Sequence, residues 1–204
     1  MCMASLSPEE GKTLVKAARL AIKAKLNSSA LPPAPMGGVF EEKRGIFITL
    51  STFPSHELRG CIGFIEAPKS IGILAQEGAI HAAFGDPRFS PLQKEEFSKI
   101  IVEASILSIP KPLNAKNAKE RESAIKIGRD GLIIEYGRAR GLLLPQVATE
   151  WNFSKKEFLQ CVCEKAGLPR DMWTSPSAKI YLFEAQIFAE SSPEGEIKQK
   201  RLFA

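Results

Sequence analysis

Residues 58–63 have the sequence LRGCIG, which places a cysteine between two glycines in a run that otherwise has the character of a β-strand. Glycine weakens a strand, so Gly60 and Gly63 together predict that backbone, a ligand or a partner comes very close at this point. Arg59 lies beside them and could favour the thiolate of Cys61 through its positive charge. The stretch is therefore the first candidate for a functional site.

A nucleophilic Cys61 would need a general base as well as an activating cation. In an extended strand Arg59 and Cys61 share one face, roughly 6–7 Å apart, so Arg59 is the candidate cation. The chain has two histidines, His56 in the loop before this strand and His81 on the helix after it, and either is a candidate base. The alternative is that Cys61 is a small buried residue that packs well, as most free cysteines do.

Candidate ligand-binding residues lie outside this stretch as well. Asp86 and Arg88 belong to a proline-braced loop, and a guanidinium suits carboxylates and phosphates. The alternative is a buried Asp–Arg pair that only fixes the loop. Gln146 lies at the start of a predicted helix, where it could contact an anion or cap the turn. The predicted ligand-binding set is Arg59, Gly60, Gly63, Asp86, Arg88 and Gln146.

The chain before LRGCIG predicts a helix and then a linker. Residues 7–27 begin with a capping box and repeat apolar residues at a spacing of four. Residues 28–38 contain three prolines and two glycines, which is typical of a loop. Strands are predicted at residues 46–50 and 58–65, and a helix rich in small residues follows from Ile71 to Ala82.

The second half mixes strands and helices without strict alternation, which predicts an α+β fold with a mixed, largely antiparallel sheet. The predicted elements are a strand at 100–107, a short helix at 118–124, a hairpin turning at Asp130-Gly131 between strands 125–129 and 132–136, a second turn at 137–141, a helix from the capping box at 154–157 to Gly167, and one long strand at 178–189. We expect one domain, with residues 39–190 as its body and residues 191–204 as a C-terminal tail.

The composition argues against several classes of protein. No apolar run approaches the ~18 residues needed to span a bilayer, and the first ten residues lack the apolar core of a signal peptide. The net charge of +5 is spread over both halves, so no basic block indicates nucleic acid. Four cysteines, one of them Cys2, are too few for a disulfide framework, which predicts a cytoplasmic protein.

Signatures of metals and cofactors are scarce in the sequence. Cys161 and Cys163 lie on a predicted helix, where positions two apart point about 200° away from each other and cannot chelate one ion. The glycine-rich phosphate loops, the zinc-protease motif and the serine-hydrolase motif are absent from the sequence. We therefore expect neither a metal nor a cofactor.

LRGCIG resembles the hallmark of the AMMECR domain family, and further pieces follow in that family's order. They are Ala82-Ala83-Phe84, Asp86-Pro87-Arg88-Phe89, Pro91-Leu92, Ile106-Leu107-Ser108, Gly131-Leu132-Ile133, residues 141–148 (GLLLPQVA) and residues 165–169 (KAGLP). The resemblance covers residues 7–190 and implies an α+β fold with a mixed, barrel-like sheet and flanking helices, divisible into a larger and a smaller lobe. It implies an archaeal or bacterial domain associated with Memo-like and radical-SAM proteins as pathway partners, but it supplies no reaction.

Three functions remain open from the sequence. A binding module would use a groove around residues 58–63, with the segments 86–89 and 144–146, for an unknown protein or small-molecule ligand. A thiol-dependent enzyme or redox protein would use Cys61 with His56 or His81. A nucleic-acid binder would use the basic residues of segments 12–23 and 138–140, against which the mild charge argues. We favour the binding module, because the sequence holds no complete catalytic set.

Overall fold

Helices and antiparallel strands make up most of residues 5–200, the part of the chain that the computed structural model describes, and the α+β prediction is confirmed. These residues divide into a larger unit, residues 5–107 and 186–200, and a smaller one, residues 108–185. The elements are, in chain order, α1 (Pro8–Leu26), a 3₁₀ turn (Gly38–Glu41), β1 (Ile46–Thr52), β2 (Leu58–Phe64), α2 (Ile71–Phe84), α3 (Lys94–Phe97), β3 (Ile100–Leu107), β4 (Lys111–Pro112), α4 (Ala118–Ala124), β5 (Gly131–Tyr136), β6 (Ala139–Leu143), α5 (Pro145–Glu150), α6 (Lys155–Lys165), a second 3₁₀ turn (Met172–Thr174), β7 (Lys179–Phe183), β8 (Ala185–Glu190) and β9 (Ile197–Lys200).

The larger unit contains a five-stranded sheet in the order β2-β1-β3-β8-β9, so β2 is an edge strand. β1 pairs antiparallel with both β2 and β3. Ile46, Ile48 and Leu50 alternate along β1 on the fully buried face, which packs with α1 and α2 in one core. Phe47 and Thr49 lie on the opposite, half-buried face. This second face of β1 carries Thr49, which adjoins Cys61.

The glycines of LRGCIG allow two close approaches, as the sequence predicts. A Cβ atom at Gly60 would lie 2.1 Å from the carbonyl oxygen of Ala82, so β2 and α2 touch backbone to backbone. A Cβ atom at Gly63 would lie 2.4 Å from the Phe47 ring. The two glycines are therefore required by packing within the larger unit itself.

A buried ion pair attaches α1 to the sheet. The side chains of Arg19 on α1 and Glu190 on β8 are 7% and 3% exposed and form a salt bridge. Glu190 also accepts a hydrogen bond from the Val102 amide at 2.9 Å, and Arg19 donates to the Ile100 carbonyl oxygen at 2.7 Å. Because an unpaired buried charge is costly, these bonds fix the position of α1 on the sheet.

The smaller unit contains a four-stranded sheet in the order β4-β7-β5-β6. α6 buries Phe158, Leu159 and Val162 together with Leu132 and Ile134 of β5. The strands thus form two sheets, one in each unit, in agreement with the expected larger and smaller lobes.

The predicted strand at residues 125–129 is wrong. Residues 126–130 form a turn, in which the Asp130 carboxylate accepts the Lys126 amide at 2.8 Å and binds the Arg129 guanidinium. Because the Asp130 side chain closes this local turn, the hairpin forms further along the chain, between β5 and β6, around Gly137 at φ +59°.

The predicted long strand at residues 178–189 divides into two strands. β7 ends at Phe183, β8 begins at Ala185, and the two belong to different sheets. The expected tail, residues 191–204, contributes β9, which pairs antiparallel with β8, while residues 201–204 lie outside the described part. An apolar alternation specifies a strand but not the sheet that it joins, so the pattern does not reveal the break at Glu184.

Replacing Gly60 by alanine tests the contact between β2 and α2. The new methyl group would meet a backbone carbonyl that cannot move aside, so Gly60→Ala is expected to lower the free energy of unfolding by about 1–3 kcal/mol or more. Gly78→Ala is the matched control, because its Cβ would lie 3.2 Å from a side-chain atom of Ile48 and alanine favours a helix by about 1 kcal/mol. Urea unfolding measures both, and an equal loss in the two variants would contradict the contact.

Candidate functional site

Asp86, in the loop after α2, holds the edge of β2 in place. Its side chain is only 2% exposed, and one oxygen, Oδ2, accepts the Cys61 amide at 2.8 Å. The same carboxylate binds Arg88 twice, from Nε at 3.0 Å and from Nη2 at 2.7 Å. It also accepts the Arg88 amide at 3.1 Å. Both oxygens of Asp86 are thus occupied by this loop and by β2.

Arg88 completes the arrangement from the other side. Its Nη2 donates to the Cys61 carbonyl oxygen at 3.3 Å, so Asp86 and Arg88 together satisfy the outward N–H and C=O of Cys61. A neighbouring strand would make the same two kinds of bond, and the ion pair therefore takes the place of a sixth strand at this point of the sheet edge. We name this set, Cys61, Asp86 and Arg88, the edge clasp. The side chain of Arg88 remains 52% exposed.

The clasp is a charged arrangement under ordinary conditions. The bonds from Arg88, with those from the amides of Cys61 and Arg88, hold the pKa of Asp86 well below its ordinary value despite burial. Asp86 stays ionised over the physiological range, and its contribution to stability is lost only when the pH falls below the ordinary range of an aspartate.

Arg59 lies in a different place from the one that strand alternation predicts. Gly60 pairs with Leu50 and Leu58 pairs with Ser51, so Arg59 is an extra residue in the ladder, a β-bulge that disturbs the period of two. Its guanidinium binds Glu96, with Nε 2.7 Å from Oε1, and donates to the Ser90 carbonyl oxygen at 2.9 Å. The guanidinium that acts on the Cys61 thiol is therefore that of Arg88.

The Cys61 thiol is partly buried and accepts a hydrogen bond from the Thr49 hydroxyl at 3.2 Å. Burial raises the pKa of Cys61, while the bond from Thr49 and the charge of Arg88 only partly oppose that rise. A raised pKa lowers the thiolate fraction at neutral pH, which is the opposite of what a nucleophile needs. The geometry thus favours the packing interpretation, and a nucleophilic Cys61 stays a prediction.

Neither histidine is bonded to Cys61 within residues 5–200. Both histidines are exposed. The ring centroid of His56 lies 6.2 Å from that of Phe53, and the ring centroid of His81 lies 6.5 Å from that of Phe64. The structure therefore gives no support to a Cys–His pair of the kind that activates a thiol.

A polar row crosses the sheet from Cys61, and no motif in the sequence indicates it. Thr49 is in register with Cys61 on one side and with Glu103 on the other. Glu103 in turn binds Lys200 of β9 at 2.6 Å. Alternation along β1 places Thr49 on the half-buried face, but only the strand pairing reveals its neighbours.

The remaining candidates lie in the smaller unit. Gln146 is in the first turn of α5, and its contact with an anion stays a prediction. Cys161 is half-buried and Cys163 buried, both without a disulfide, and Cys2 lies outside the described residues. Within residues 5–200 no group of three or more histidine, cysteine, aspartate or glutamate side chains could hold a metal ion.

Alkylation of Cys61 measures the state of its thiol. Iodoacetamide labelling, followed by peptide mass spectrometry, separates Cys61 from the other cysteines. Labelling of Cys61 is expected to be slow at neutral pH and to keep accelerating beyond the ordinary titration range of a cysteine, because burial raises the pKa of this thiol. Thr49→Val removes the hydrogen bond to the sulfur and is expected to slow labelling further. Rapid labelling of Cys61 that is already maximal at neutral pH would contradict this account.

Comparison with known proteins agrees with this architecture. The family model AMMECR1 matches residues 15–188. Protein MJ0810 of Methanocaldococcus jannaschii is 49% identical over 98% of this chain and 100% of its own length. Protein MK0488 of Methanopyrus kandleri is 47% identical over 97% of this chain and 96% of its own length.

A solved structure has the same fold. The crystal structure of the uncharacterized protein PH0010 from Pyrococcus horikoshii is 41% identical and matches 96% of this chain and 98% of its own with a TM-score of 0.91. None of these printed names indicates a specific function. No helix within residues 5–200 is long and apolar enough to cross a membrane. With a family match over most of its length and close relatives along nearly all of it, the chain belongs to the AMMECR1 family.

Proposed function

We propose that the chain is a binding module whose docking surface is the outer side of β2. This surface, named the β2 edge surface, consists of Leu58, Arg59, the edge clasp and Phe89. The observation that carries the proposal is the half-exposed guanidinium of Arg88, fixed at its base by a buried carboxylate and by the backbone of an edge strand.

Fixing a long side chain before a ligand arrives favours binding. Immobilising a flexible side chain at an interface costs about 0.5–1.5 kcal/mol, and the Asp86 bonds have already restricted Arg88 in the free protein. Leu58, 43% exposed at the start of β2, adds apolar area to the same surface. A cation held against an edge strand that begins with an exposed leucine is a combination expected of a recognition surface.

A thiol-dependent activity is the weaker proposal. It would need a thiolate, yet burial raises the pKa of Cys61, and neither described histidine is bonded to the sulfur. The Thr49 bond and the nearby charge of Arg88 are the two features in its favour.

Nucleic-acid binding has less support still. In the basic segments that it would use, Lys12 is paired with Glu9 and Arg140 with Glu135. Such pairing reduces the number of cations that remain for phosphates.

The partner and the compartment are further parts of the proposal. We take Memo-like and radical-SAM proteins as the first partners to test, because the resemblance of the sequence associates the domain with them in microbes. We take the cytoplasm as the compartment, because Cys61, Cys161 and Cys163 are free thiols.

Photo-crosslinking maps the docking surface directly. A photoreactive amino acid at position 58, which is exposed, is expected to give a discrete adduct in extract of the native host. Arg88→Gln should reduce the yield of this adduct at least about tenfold. The reason is that a hydrogen bond to a charged group is worth about 1.5–3 kcal/mol. The control places the same amino acid at Ile109, which is 60% exposed in the smaller unit. The proposal would be contradicted if both positions gave the same adducts, or if Arg88→Gln left the yield of the position-58 adduct unchanged.

A further inference from the structure

Arg59 and Arg88 use their guanidinium groups in the same way. Each binds a carboxylate through Nε and Nη2, that of Glu96 for Arg59 and that of Asp86 for Arg88. In each, Nη2 also donates to a backbone carbonyl oxygen, of Ser90 or of Cys61. The third nitrogen of Arg59, Nη1, is buried and has no hydrogen-bond partner within residues 5–200. Arg88 binds Asp86 and Cys61 through Nε and Nη2, so these bonds leave its Nη1 unused.

The two Nη1 groups differ in depth. Arg59 is 9% exposed as a residue, and its Nη1 is buried without an acceptor. A buried donor without an acceptor costs about 1–3 kcal/mol, so an acceptor that reaches it is strongly favoured. The side chain of Arg88 is half-exposed, so a ligand can approach this guanidinium from solvent. One guanidinium thus lies deep in the β2 edge surface, and the other belongs to a half-exposed side chain.

Phe89 connects the two arginines. The guanidinium carbon of Arg59 is 5.7 Å from the centroid of the Phe89 ring, and that of Arg88 is 5.5 Å from it. Both cations therefore lie against one aromatic ring, which attracts them through its π-electrons and keeps water from part of their surface. Hydrogen bonds made beside such a ring are stronger than bonds made in open water.

The carboxylates already present cannot serve the free donors. Asp86 accepts four hydrogen bonds and Glu96 accepts from both Arg59 and the Gln93 amide. The charges of the two arginines and the two carboxylates cancel, so the cluster has no net positive charge that would attract highly charged anions. A planar monoanion with two acceptor oxygens matches the remaining donors better than a phosphate dianion does.

We propose that Arg59 Nη1 and Arg88 Nη1 bind the carboxylate group of a ligand beside the ring of Phe89. The ligand is either an acidic residue of a partner polypeptide or a free carboxylic acid, which offer the same group. The inference rests on the proposed binding module and names the chemistry that its surface recognises.

An NMR titration of the full chain tests the inference, with the guanidinium signals of Arg59 and Arg88 as the readout. The probes are sodium acetate, inorganic phosphate, and a blocked tripeptide with a central glutamate, together with its glutamine counterpart. We expect acetate and the glutamate peptide to shift both arginine signals, and phosphate and the glutamine peptide to leave them in place. A glutamate peptide that binds at least about tenfold tighter than acetate supports a polypeptide source, and comparable affinities support a free carboxylic acid.

Variants separate the role of the donor from the role of the charge. Arg88→Lys keeps the positive charge but replaces the guanidinium with a single ammonium nitrogen. The variant is therefore expected to weaken binding of the glutamate peptide at least about tenfold. Arg129→Gln is the matched control, because Arg129 binds Asp130 in the smaller unit through the same two nitrogens and should leave binding unchanged. Undiminished binding by Arg88→Lys would overturn the assignment of the donors.

Two further outcomes would overturn the inference. One is arginine signals that no carboxylate probe moves, and the other is equal shifts with the glutamine peptide. If the Arg88-dependent crosslink from position 58 persists in that case, the proposed binding module stands without this ligand chemistry. Loss of the crosslink as well would remove both.

Discussion

The carboxylate of Asp86 is the constraint on which the architecture around LRGCIG depends. It lies almost fully buried at the edge of a sheet, where the N–H of Cys61 would otherwise face outward without a partner. By accepting that N–H and holding Arg88 against the adjoining carbonyl, it closes one position of an edge strand without adding another strand. An ion pair also discourages pairing with other chains at this position, because a new strand would first have to displace two charges.

Gly60 supplies the second half of the same construction. Because Gly60 lets β2 touch the backbone of α2, the end of that helix lies close enough to the strand for the following loop to bring Asp86 to Cys61. Helix, loop and strand are thus joined twice, once by packing and once by charge. Cys61 lies between these two attachments, half-buried beneath Arg88 and bonded to Thr49, and both its raised pKa and its surroundings suit a small packing residue.

The sequence predicts what depends on local chemistry. The capping box at Ser7, the strand at residues 100–107 and the helix at residues 118–124 follow from neighbouring residues and agree with the structure. The two glycines of LRGCIG predict close approach, although not what approaches them. The Asp86 carboxylate fixes the loop, as one interpretation of the Asp86–Arg88 pair expects, while a ligand at the half-exposed Arg88 stays a prediction. The bulge at Arg59 and its bond to Glu96, 37 positions away, could not be predicted, because periodicity contains no information about distant partners. For the same reason the register of Thr49 with Glu103 could not be predicted from the sequence.

Amide hydrogen exchange at Cys61 is the most direct test of the edge clasp. In the unaltered chain this amide is expected to be strongly protected although it faces outward from an edge strand, and Asp86→Asn should lower its protection at least about tenfold by weakening its acceptor. Asp130→Asn breaks an equivalent buried Asp–Arg pair in the smaller unit, and it should leave the Cys61 amide unchanged. Full protection of Cys61 in Asp86→Asn, or an equal loss in both variants, would contradict the view that Asp86 closes this edge.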